Sequence, residues 1–151
     1  MNELQAKAGI QISRPIATVF NAIVDPSEMS NYFIETSTGK MEAGKTVTWK
    51  FPEFADKVPV TVLTVHAPVS IVFEWEGAPG NQLKVEIHLE DRGGNSTVVK
   101  VIEGDMPNTE AGIKWLRGNT EGWANFLACM KAWLEYGIHL RQGAFDYMKP
   151  A

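Results

Sequence analysis

The sequence predicts an α+β domain: a curved antiparallel sheet wrapped around a long C-terminal helix, with two short helices after the first strand. Three observations carry that expectation. Apolar and polar residues alternate with period two in runs between residues 47 and 101, separated by clusters of Gly, Pro, Asn and Asp. The stretch GWANFLACMKAWLEYGIHL, residues 122 to 140, instead repeats its bulky residues every three or four positions. Between residues 13 and 32, Pro15 and Pro26 each stand where a proline opens a helix.

The elements follow in order. Ala6, Ala8, Ile10 and Ile12 form one face of a first strand, and Gln5, Lys7, Gln11 and Ser13 the other. Ser13 is placed to cap a helix with Ile16, Val19, Phe20 and Ile23 on its apolar side, ending at Asp25-Pro26. A second helix over residues 27–32 starts from that pair, with Asp25 as cap and Pro26 as first residue. Beyond Gly39, Val47, Trp49 and Phe51 alternate with Thr48 and Lys50, and a run over residues 58–65 follows, in which Pro59 marks an edge strand or a bulge.

After a turn at Ala67-Pro68, Ile71, Phe73 and Trp75 alternate with Val72, Glu74 and Glu76, and residues 77–81 form a loop. Leu83, Val85, Ile87 and Leu89 then face inward against Lys84, Glu86, His88 and Glu90; residues 91–95 reverse the chain, and Thr97, Val99 and Val101 return. Residues 105–118, DMPNTEAGIKWLRG, read as a connecting loop anchored by Trp115, or as a mobile rim over a pocket. The last helix follows, with Asn119 as its cap, and ends near Gly143.

A chain of 151 residues is one domain's worth, and it buries enough surface to fold without staples. Lys plus Arg number 14 against 18 Asp plus Glu, a net charge of -4, with the basic residues scattered rather than massed, which disfavours nucleic acid as partner. The single cysteine, Cys129, allows no intrachain disulfide and sits in the apolar helix, so a reducing, cytoplasmic setting is expected. MNELQAKAG has no secretory leader pattern, and no window is long and apolar enough to span a membrane.

On the long helix, Trp123, Phe126, Leu127, Met130, Trp133, Leu134, Gly137 and Ile138 share one broad face, wide enough to cover a meander of six or seven strands. Core packing is the plain account of that bulk; a cavity left between curved sheet and helix is the alternative. Trp133, at the edge of the arc, is expected to be partly exposed and to offer a surface for self-association, leaving monomer and homodimer both open. Arg141 falls in phase with Trp123 and Met130, either snorkelling to solvent or meeting a ligand's acidic group.

The motif VTVLTVHAPVSIVFEWEG, residues 60 to 77, resembles a family pattern of apolar strand, proline turn and tryptophan strand. GWANFLACMKAWLE, residues 122 to 135, is similar to that family's closing helix, and PIATVFNAIVDPSEMSNYF, residues 15 to 33, to its opening helix and DP turn. The family is the START-like, or SRPBCC, superfamily, and within it the homologues of the C-terminal domain of the activator of heat-shock-protein-ninety ATPase. The resemblance covers about residues 5 to 142 and implies the helix-grip fold. Tyr32-Phe33 stand where the family often has tryptophan, and the tail from Phe145 lies outside the pattern. The domain is accordingly placed at residues 1–142, with 143–151 as a tail. Apolar-ligand carriers, cyclases and chaperone-associated domains all occur in such a family, so the resemblance implies fold more sharply than function.

Catalytic patterns are sparse. His88 falls on the outer face of its strand, His66 at a turn and His139 near the helix end; Cys129 has no adjacent base. No His, Cys or acidic pair shows zinc spacing, residues 91–95 lack a calcium loop's oxygen array, and Gly93-Gly94 belongs to a hairpin rather than a phosphate loop. Glu74, Glu76, Glu86 and Glu90 decorate a solvated face. The expected role is therefore binding rather than catalysis, with no metal and no cofactor. An apolar small molecule or lipid-like ligand would sit between sheet and helix against Phe20, Trp49, Phe51, Phe73, Trp75, Val85, Ile87, Trp123, Phe126 and Met130. The alternatives are a stress-response module that docks on a chaperone, and a START-like cyclase or hydrolase.

Overall fold

The computed structural model describes residues 3–150. Strand β1 (Glu3–Ile12) leads into helices α1 (Ile16–Val24) and α2 (Pro26–Met29). Strands β2 (Thr36–Ser37), β3 (Thr46–Lys50), β4 (Lys57–His66), β5 (Ser70–Ala78), β6 (Asn81–Asp91) and β7 (Thr97–Pro107) follow, then helix α3 (Glu110–Tyr136). The strands form one antiparallel curved sheet in the order β1-β7-β6-β5-β4-β3-β2, so that the meander is closed off by β1 pairing with β7. The α+β helix-grip architecture expected from the sequence is the one observed.

Register puts the inward residues in rows across the sheet. Val62, Phe73, Val85, Glu103 and Ala6 stand opposite one another on β4, β5, β6, β7 and β1, and all five are wholly buried. Four of the five are apolar, and the exception, Glu103, continues the inward phase of Thr97, Val99 and Val101. Phe126, Leu127 and Met130 of α3 belong to the same buried cluster, so the helix lies over the inner face of the sheet.

Several boundaries differ from the expectation. Residues 110–118 are helix, not loop or rim: Thr109 caps α3 by accepting from the Gly112 N–H at 3.1 Å, and Glu110 occupies the first turn, where negative charge favours the helix dipole. Asn119 is thus mid-helix rather than a cap. The helix stops at Tyr136, well short of Gly143, because Gly137 takes the left-handed conformation (φ 64°) that ends helices. Ser13 caps nothing; its N–H donates to Glu135 Oε2 at 2.7 Å, and Pro15 stands at the start of α1. Asp25 does cap α2, accepting from the Ser27 N–H at 2.9 Å, but the helix ends at Met29.

Strand β5 runs through Gly77 to Ala78, leaving a tighter turn than the loop expected over residues 77–81. Pro59 is opposite Thr48 of β3, and the pairing of β4 with β5 begins only at Val60, so its missing N–H falls where the strand has one neighbour. The register shift in β4 is further on, between Val62 and Thr64. No helix among the described residues is long and apolar enough to cross a membrane.

Candidate functional site

Where α3 passes the end of β5, packing gives way to an open cleft of about 200 Å³. Its walls come from five places in the chain. Phe33 follows α2, Phe51 and Phe54 lie on the segment after β3, Trp75 is on β5, Gly118, Asn119, Glu121, Gly122, Trp123 and Asn125 are on α3, and Arg141, Phe145 and Met148 belong to the segment after it. Phe54 is 45% exposed, a large apolar side chain held at the mouth.

The two indoles are fixed from behind. Trp75 Nε1–H donates to Glu103 Oε2 at 2.7 Å, and Trp123 Nε1–H donates to Oε1 at 2.8 Å. The Asn119 amide donates to the same Oε1 at 2.8 Å and to the Gly77 carbonyl at 3.2 Å. Both oxygens of this wholly buried side chain therefore accept hydrogen bonds, as polar atoms taken out of water require. None of the ion pairs among the described residues includes Glu103. Gly77 makes room for this arrangement, since a Cβ there would stand 2.1 Å from Glu103 Oε2. The consequence is two indole rings 5.7 Å apart, with their polar edges turned away from the cleft.

A second buried carboxylate sits on the other side. Glu53, on the segment after β3, accepts from Arg141 Nη2 at 2.8 Å, and both side chains are mostly buried. The guanidinium carbon lies 5.5 Å from the Phe33 ring centre, 5.7 Å from that of Phe51 and 4.8 Å from that of Phe145. Arg141 thus neither snorkels freely nor stands empty; it pins the C-terminal segment, including the 3-10 turn Asp146–Met148, beside the cleft.

Of the ten residues named from the sequence, Phe51, Trp75 and Trp123 come together on the cleft. Phe20, Trp49, Phe73, Val85, Ile87, Phe126 and Met130 are buried in the core. Trp49 and Phe73 touch Trp75 edge-on, at 5.9 and 5.7 Å, and so support the wall without forming it. Phe33, Phe54, Asn119, Asn125, Phe145 and Met148 line the cleft unannounced by any sequence pattern, whereas Glu103 had a signal, the period-two phase of β7.

The remaining reactive groups lie apart from the cleft. Burial pushes the Cys129 thiol above its ordinary range, against a smaller opposite pull from Arg141, so the thiolate needed for nucleophilic attack is suppressed. His88 shares a hydrogen bond with Glu86 on the outer face, and the His139 ring stands edge-on to the half-buried Trp133 at 5.3 Å. Among the described residues no group of three or more His, Cys, Asp or Glu is placed to hold a metal ion.

Residues 13–135 match the family model described as Activator of Hsp90 ATPase homolog 1-like protein. Among curated proteins none matches the chain. Solved structures share the fold. A protein from Staphylococcus saprophyticus is 29% identical with a TM-score of 0.78, covering 89% of this chain and 94% of that one. An Hsp90 activator from Plasmodium falciparum is 17% identical with a TM-score of 0.69, covering 87% and 96%. The di-domain ARO/CYC BexL of the BE-7585A biosynthetic pathway is 12% identical with a TM-score of 0.76; 87% of this chain aligns with 46% of it.

Proposed function

The chain belongs to the Activator of Hsp90 ATPase homolog 1-like family, and from that premise we propose that it is a binding domain which holds a compact apolar molecule in the cleft between α3 and the sheet. The observation that carries the proposal is the pair Gly118 and Gly122. They are one helical turn apart on the cleft side, and a Cβ built at either meets nothing within 4 Å. Glycine inside a helix costs about 1 kcal/mol relative to alanine. No packing demand offsets that cost here, so what the glycines leave is open volume beside two fixed indoles.

The size of the opening selects among ligands. Small-molecule pockets commonly span about 300–1,000 Å³, and a cleft of about 200 Å³ suits one or two fused rings rather than the long lipid-like chain that the sequence allowed for. Binding would draw on burial of apolar surface, about 25 cal/mol per Å² removed from water. Native mass spectrometry of gently purified protein tests this directly: a retained compact apolar molecule is the expected result.

A second reading, docking on a chaperone, is favoured by the end of α3. Tyr136, Ile138 and Leu140 are 69%, 52% and 50% exposed, an apolar cluster close together in sequence beyond what one stray side chain accounts for. The Plasmodium falciparum relative is an Hsp90 activator, which gives that surface a partner class. Recovery of empty protein together with a chaperone would replace the first reading with the second.

A further inference from the structure

Resting on that reading of the cleft, we propose that its ligand is an organic cation: an ammonium or guanidinium group carried on an aromatic or aliphatic body. Trp75 and Trp123 give their N–H groups to Glu103, so neither has a donor left for a ligand's oxygen, and what they present is ring surface. The negative ring face attracts cations, most strongly for tryptophan. A carboxylate bound to both indole N–H groups polarises the rings in the direction that strengthens this attraction.

Glu121 is on the cleft wall, Glu103 lies directly behind the indoles and Glu53 is bonded to Arg141, the one guanidinium on the wall. Three carboxylates against one cation leave a surplus of negative charge. The single cation is already ion-paired with Glu53 through Nη2 at 2.8 Å, although its buried Nε has no hydrogen-bond partner. An acidic ligand would meet that surplus without a free positive partner on the wall, and the Asn119 amide is committed to Glu103 and Gly77.

The molecule already supplies one such cation itself. Arg141 stands within 6 Å of the Phe33, Phe51 and Phe145 ring centres while lining the same cleft. This wall therefore holds a cation against its rings in the folded protein, and Trp75 and Trp123 continue the aromatic surface beyond it.

The test uses three probes with one aromatic body on the full-length chain: (2-naphthylmethyl)trimethylammonium, 2-naphthalenemethanol and 2-naphthylmethanesulfonate. Binding is followed by the indole N–H resonances of Trp75 and Trp123 in nitrogen-15 correlation spectra. The ammonium is expected to bind about tenfold more tightly than the alcohol at low salt, the size of a partly desolvated cation–π contribution, with the sulfonate weakest. Glu121→Gln, at an exposed position, should cut ammonium affinity about two- to threefold and leave the alcohol unchanged. Equal affinities for ammonium and alcohol overturn the cation proposal while leaving the apolar cleft standing, and so does a preference for the sulfonate. If none of the probes shifts either indole, the cleft reading itself falls and the cation proposal falls with it.

Discussion

Helix α3 presents Phe126, Leu127 and Met130 toward one end of its inner face and Gly118, Gly122 and Trp123 toward the other. At the first end every side chain is at most 1% exposed, and Phe126 meets the rings of Tyr32 and Phe33 at 5.7 and 4.6 Å. At the second, the helix is trimmed to backbone twice and an open cleft remains. The same broad apolar periodicity runs through both ends. What separates them is the size of the residues between the large ones, and the presence behind the rings of a carboxylate that fixes two indoles in place. Apolar bulk alone thus does not decide between core and site; the small residues and the buried polar group do.

The packed end should be the costly one to disturb. Phe126→Ala removes a wholly buried ring from a close-packed region and is expected to lower unfolding free energy by about 3–5 kcal/mol, measured by denaturant unfolding. A cost under 1 kcal/mol would mean that the packed end is as loose as the open one, and the contrast would collapse.

The next largest effect should come from the pin at the edge of the cleft. Arg141→Ala leaves Glu53 buried with no cation, and breaking a buried pair costs about 3–5 kcal/mol. The Arg141 side chain keeps 15% exposure, so a value at or below the lower end of that range is expected. Limited proteolysis should then cut within residues 138–149 faster than in the parent chain. A parent-like cleavage pattern would show that the segment is held by something other than this pair.

Glu103→Ala sharpens the contrast from behind the rings. It strands the indole N–H of Trp123, which is 4% exposed, and that of Trp75, which is less buried. An unsatisfied buried donor costs about 1–3 kcal/mol. Because both indoles lose a charged acceptor, the tryptophan emission maximum should shift along with the stability. Stability that falls with no change in the emission would place the cost elsewhere than the indoles.

Much of this was legible in the sequence, and the reasons are specific. Alternation in β5, β6 and β7 assigned Ile71, Phe73, Val85, Ile87, Val99 and Val101 to the inner face, where they are all buried, because a sheet with one covered face leaves that signature. The start of α3 was hidden because Asp105, Pro107 and Thr109 are turn formers in composition while Asp105 and Pro107 end β7 and Thr109 caps the helix. Phe33, Phe54 and Phe145 lie outside strands and helices and Met148 closes a single 3-10 turn, and no period marks such positions. Glu103 was legible: one more step of the β7 alternation past Val101 places a carboxylate on the inner face. The core follows from periodicity, whereas the site is assembled by loops and by one residue that breaks an apolar row.

The smallest expected change is also of opposite sign. Gly118→Ala and Gly122→Ala each add a Cβ with nothing within 4 Å, so no clash offsets the gain in helix propensity. Each should raise unfolding free energy by up to about 1 kcal/mol, and although residues four apart are neighbours on the helix, two lone methyl groups about 5–6 Å apart do not touch, so the double variant should approach the sum. Glycines kept only to let another element approach would behave otherwise, as Gly112 illustrates: a Cβ there would lie 1.9 Å from the Pro107 carbonyl oxygen, and alanine should destabilise. The open end therefore predicts a trade in which the double variant melts higher while binding a neutral naphthyl probe more weakly, since the added methyl groups occupy the cleft beside Trp123. Higher stability with unchanged probe affinity would mean that the volume over Gly118 and Gly122 is not where ligands sit, and that the difference between the two ends of α3 is one of packing alone.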